Sequence, residues 1–284
     1  MRTTVRHRLG IATVLGALLA SSLQLGFTNL TVRYVAWSAV EFFPADLERH
    51  VRRHHRRFEA GLRRGLESPP AWRAGPPGRL PEAFVAQARA CAEGLRRPIL
   101  LEDLVEELGV LAVRVLDAND PLAVGHSDAR EPSYAGAFES YVDSARGRVR
   151  LVYYGQDEAL IYRSDVAGAV ERTLERSRAL YPYVGDEFFR TGVLRDWRTF
   201  DDRSVAFGVA AVSMSRALTD LANFGAWVWR QGGGLVPTPR PTPEGHSGPV
   251  VMPVPELEGG FPDRQRPAGG APKLPPSKLQ LPPP

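Results

Sequence analysis

The chain has 284 residues, with 36 basic and 32 acidic side chains, a formal net charge of +4 that singles out no polyanionic partner. Its one cysteine, Cys91, excludes an intramolecular disulfide and any zinc site built from cysteines. Hydrophobic residues make up 43%, enough for a core, but 15 of the 25 prolines fall between Gln231 and Pro284, a stretch too poor in large apolar groups to pack one. All but two of the basic residues are arginines, and no specific nucleic-acid partner is expected from so mild a surplus.

Arg2, Arg6, His7 and Arg8 precede an apolar run from Leu9 to Leu25, and Ala20-Ser21-Ser22 offers a small-residue cleavage site. Residues 1–22 therefore read as a signal peptide. No charge occurs between Leu9 and Val32, so an uncleaved anchor over residues 9–32 is the second reading. Either one places the body of the protein in the periplasm, in the cell envelope or outside the cell. Residues 23–230 then form the folded domain, and 231–284 a Pro/Gly-rich tail expected to be disordered.

Within the domain, apolar residues recur at helical spacing. Leu47, Val51, His54, Phe58 and Leu62 make a first stripe after Pro44. Phe84, Ala88, Cys91 and Leu95 follow Pro81. Leu104, Leu108, Leu111 and Val115 make a third, Tyr134, Phe138, Tyr141 and Ala145 a fourth, and Val166, Val170, Leu174 and Ser177 a fifth. A last helix, expected over Asp202 to Trp229, is apolar on most sides, as a central bundle helix is. Arg216 and Asp220 lie one turn apart within it and are expected to pair. Val149 to Tyr154 alone looks strand-like. The fold class is all-α, a single multi-helix bundle.

Two groups of residues carry candidate chemistry. The first is the basic segment Arg49 to Arg64, in which His50 and His54 have a spacing that can share a metal, although His54 falls on the apolar stripe and reads as structural. Arg52, Arg53, Arg56 and Arg57 in this segment suit an anionic membrane surface or an envelope protein, the other reading being a merely solvated face. The second runs from Leu108 through Asp117, Asp120, His126 and Asp128 to Glu139. These side chains are oxygen and nitrogen donors of the kind that bind a hard or borderline cation, while Asp117, Asp120 and Asp128 also suit turn formation. Cys91 reads as a small core residue.

At these residues the chain resembles the zinc-dependent phospholipase C and single-strand-specific nuclease superfamily. That family carries His-x-x-x-Asp on one helix, then Pro-Leu-His, then His-x-x-x-Glu on the next. Gly109-Val110-Leu111-Ala112 looks like the approach to the first motif, Asp117 matches its Asp, Pro121-Leu122 follow at the family offset, and Phe138-Glu139 looks like the end of the last. The resemblance implies a secreted all-α fold, bound zinc and cleavage of phosphate esters. The motif histidines, however, are replaced by Val113, Ala123 and Ala135, and no histidine occurs between His7 and His50 to supply the family's early ligands. Two carboxylates do not hold a three-metal cluster, and without zinc there is no activated water. The expectation is therefore a degenerate, non-catalytic scaffold or binding protein without a metal cofactor. The alternative is an active metal-dependent phosphoester hydrolase, of phospholipase or nuclease type, using zinc in a site rebuilt from Asp117, Asp120, His126, Asp128 and Glu139. A third reading is a membrane-apposed interaction protein acting through the arginine segment and the tail.

Overall fold

The first helix, α1 (Asn29–Val40), begins where the chain supplies a hydroxyl cap. Thr28 precedes it, and the hydroxyls of Thr28 and Thr31 both donate to Asp143, tying the start of the domain to a helix more than a hundred residues away. Val32, Val35, Ala36 and Ala39 are fully buried. Our computed structural model of the chain describes residues 27–67, 79–96, 100–125, 127–237 and 250–251. The proposed signal peptide and most of the tail lie outside these. Thr31 and Val32, at the C-terminal end of the proposed anchor, are buried in the core.

The basic segment is two helices rather than one. α2 (Ala45–Arg53) ends at His54, whose φ of −104° and ψ of 34° interrupt the helix, and α3 (His55–Glu67) restarts directly. The break lets both halves keep their apolar residues inside, with Leu47 and Val51 buried on one side of it and Phe58 and Leu62 on the other. α4 (Arg79–Gly94) follows, then α5 (Leu101–Asn119), α6 (Pro121–Val124) and α7 (Glu131–Ala145). α3 and α5 approach until their backbones touch. A Cβ added at Gly61 would collide with the Glu106 carbonyl, one at Gly109 with the Phe58 carbonyl, and one at Gly65 with the Val113 side chain. Only glycine permits that separation.

A short 3-10 turn (Arg146–Arg148) leads to β1 (Val152–Tyr153), then α8 (Glu158–Arg163) and α9 (Val166–Phe188). Asp157 and Asp165 cap the two helices by accepting from Leu160 and Gly168 N–H at 3.0 and 3.1 Å. Ser204 caps α10 (Val205–Gln231), the central element, which packs against α1, α4, α5, α8, α9 and β1. By length and composition α10 would span a membrane, but most of it is buried inside the bundle. The architecture among the described residues is thus all-α, with ten helices.

One detail departs from expectation. The strand-like stretch does form a ladder, because β1 pairs antiparallel with β2 (Val250–Val251) from the tail, in the register Val152 to Val251 and Tyr153 to Val250. The other side of β1 is held by α10. Ser215 and Thr219 hydroxyls accept from Val152 and Tyr154 N–H, and the Asn223 amide oxygen accepts from Asp157 N–H. Polar side chains of the core helix thereby satisfy backbone donors that have no strand to pair with.

Candidate functional site

The end of α5 and the turn after it place the candidate donors. Asp117 is buried in the last turns of α5, with Arg114 Nη1 3.9 Å from its Oδ2, so a guanidinium shares the interior with this carboxylate. Asp120 is the N-cap of α6 and accepts from Leu122 N–H at 2.9 Å, ahead of Pro121 at the first helical position. Asp128 serves its own loop, accepting from Arg130 N–H at 2.8 Å, from Arg130 Nη2 at 2.8 Å and from the Tyr134 hydroxyl at 3.3 Å. The hydrogen bonds from Arg130 hold the Asp128 carboxyl below the usual carboxylate range. His126 lies outside the described residues.

Glu139, on α7, lines a cleft of about 430 Å³ together with Phe27, Thr28, Asn29, Arg63, Leu66 and Glu67. Its neighbours there are not the other candidates. Among the described residues no group of three His, Cys, Asp or Glu side chains is placed to hold a metal ion. The three positions where the family carries histidine are occupied by packing: Val113, Ala123 and Ala135 are all buried, and the Val113 methyls fill the space left by the missing Gly65 side chain. These residues do not fit a zinc cluster.

The arginine segment divides in the same manner. Arg57 reaches across to α5, with Nη2 3.3 Å from Glu102 and Nη1 3.1 Å from Glu106, and the Glu102 charge raises its pKa further. Arg64 makes a parallel rung to Glu106 at 2.7 Å. Arg52 pairs with Glu48 at 2.8 Å and reaches Glu41 at 3.9 Å. Of the four arginines proposed for anion contact, Arg53 and Arg56 extend into solvent without an ion pair among the described residues. His50 packs near the Trp229 ring, with centroids 6.0 Å apart, and burial followed by the His54 charge lowers its pKa.

Sequence reasoning missed a polar cluster between α5, α9 and α10. Asp220, on α10, does not pair with Arg216. It accepts from Arg176 Nη2 at 3.0 and 3.1 Å, from the Thr173 hydroxyl at 2.8 Å and from Asn119 Nδ2 at 3.1 Å. Helical spacing favoured Arg216, but Arg176 and Thr173 come from α9 and Asn119 from α5, and only the packing of three helices brings them to one carboxylate. An acidic residue inside an otherwise apolar helix is the signal that such a cluster exists, although it does not identify the partners.

Compared with family models, curated proteins and solved structures, the chain matches none of them.

Proposed function

We propose that this protein is an exported, non-catalytic helical scaffold or binding protein, a degenerate relative of the zinc-dependent phospholipase C and nuclease fold. The observation that carries this reading is the local employment of the donor set. Asp120 caps a helix, Asp128 holds its own loop, Asp117 shares its buried position with Arg114, and Glu139 belongs to a separate cleft. Buried apolar side chains at positions 113, 123 and 135 support it further. A phosphoesterase of this kind needs converging donors that lower the pKa of a bound water.

Attachment to a membrane, on this reading, rests on the N-terminal segment rather than on the arginines. Each arginine near an anionic surface contributes about 1 kcal/mol, so Arg53 and Arg56 together supply about 2 kcal/mol, too little for stable docking. The test is elemental analysis of the purified full chain after dialysis, combined with assays on bis(p-nitrophenyl) phosphate and phosphatidylcholine. The expected result is a metal content far below one ion per chain and no turnover. Stoichiometric zinc together with phosphodiester cleavage that Asp117→Ala abolishes would overturn the proposal and establish the hydrolase.

A further inference from the structure

The seam between α9 and α10 holds more positive charge than it neutralises. Asp220 is committed to Arg176, Thr173 and Asn119. Arg216, one turn earlier on α10, is half-buried, and among the described residues its one hydrogen bond runs from Nη1 to the Arg176 carbonyl oxygen at 3.3 Å. No ion pair involves Arg216 among the described residues. Arg176 Nε, Ser177 Oγ and Ser213 Oγ, on the same two helices, are buried without a hydrogen-bond partner. Thr173 and Arg176 lie one turn apart on α9, and Ser213, Arg216 and Asp220 recur at three- and four-residue spacing on α10, so Arg216 and Asp220 share the face that meets Arg176. One buried guanidinium N–H and two buried hydroxyls without partners are costly, while the Arg216 guanidinium, not among those buried atoms, stays reachable from solvent, so the seam can take in a group that accepts.

We propose that Arg216 and Arg176 form a binding site for a carboxylate. Two guanidiniums against one carboxylate leave a single uncompensated charge, which one monoanion balances. The planar guanidinium fork of Arg216, with all but one of its donors unused, matches the two oxygens of a carboxylate. Burial, and then the charge of Arg176, depress the pKa of Arg216, as expected of a cation lacking its counter-ion. Tyr154 and Asp220 are the other ionisable groups close to it. The carboxylate can belong to a free organic acid or to an acidic side chain of a partner protein. The site is independent of the Asp117 to Glu139 region and stands or falls apart from it.

The experiment is thermal melting of the full chain at pH 7 in potassium acetate, potassium phosphate and potassium chloride of equal ionic strength. Acetate is expected to raise the midpoint by a few degrees over chloride. Arg216→Gln is expected to abolish the acetate effect while melting in chloride no lower than the native chain, since it relieves repulsion with Arg176. Arg216→Lys, which keeps the charge without the fork, is expected to retain only part of the effect. An acetate shift that survives Arg216→Gln, a phosphate shift that Arg216→Gln abolishes while the acetate shift stays, or a variant that melts lower in chloride would each overturn the proposal, the last by making Arg216 a structural residue. Calorimetric titration with acetate and with acetyl-Glu-Gly-amide separates the sources. Affinity about ten-fold tighter for the peptide assigns a partner protein's side chain, equal affinity assigns a free acid, and no binding of either overturns the site.

Discussion

Asp220 joins three helices through one carboxylate, so its removal should cost the fold measurably. Asp220→Ala would leave Arg176, Thr173 and Asn119 without their shared acceptor, and because the Arg176 side chain is partly open to solvent the loss should be about 2 kcal/mol, less than for a fully buried pair. Urea denaturation monitored by circular dichroism should show this, and a loss below about 1 kcal/mol would mean that the cluster relaxes onto water. Asp128 makes a pH-dependent contribution. Its folded pKa is depressed, so its stabilisation is fully present above the unfolded carboxylate value of about 3.9 and disappears as pH falls through the lower folded value. The difference in stability between the native chain and Asp128→Asn should therefore be constant at neutral pH and close below about pH 4. Cys91 should be inert. Burial, with Glu107 beside it, pushes its thiol up to about 12, so at pH 8 Ellman's reagent should react only after denaturation.

At the scale of elements, the crossing of α3 and α5 is the least forgiving contact. Gly61→Ala or Gly109→Ala drives a methyl group into a carbonyl of the facing helix and should destabilise by about 2 kcal/mol or more. Gly136, inside α7 with open space where a Cβ would stand, is the control, and its replacement by alanine should stabilise by about 1 kcal/mol. The same crossing shows where sequence reading stops. The stripes of α4, α5, α7 and α9 were legible because each element's own periodicity announces its buried face. The split of the basic segment at His54 was not, because Leu47, Val51, Phe58 and Leu62 keep helical spacing straight through the break. Nor was the pairing of Arg57 and Arg64 with Glu102 and Glu106, which turns part of the basic segment into rungs between two helices. Charges on one helix declare a polar face, but they do not reveal which neighbouring helix answers it.

For the whole molecule, the all-α class and the central place of the last helix follow from composition and apolar pattern, whereas the candidate site does not. Asp117, Asp120, Asp128 and Glu139 lie near one another in sequence order, and the chain directs them to separate duties because caps and turns use the same oxygens that metals do. Distinguishing the two requires knowing which backbone N–H each carboxylate meets, which is a property of the folded turn. Within this bundle α10 has an unusual standing, being the last of the described helices in chain order and the one around which α1, α4, α5, α8 and α9 are arranged. A chain ending before Val205 should accordingly show no cooperative melting, and a sharp transition from such a fragment would assign the core to the earlier helices.

That arrangement has a bearing on biogenesis. Among the described residues nine helices leave the ribosome before α10, and α1, α4, α5, α8 and α9 among them pack on it, so these apolar stripes lack their common partner until Gln231 has emerged. Pairs such as α3 and α5 can meet earlier, but the core as a whole closes last, when the helix at its centre arrives.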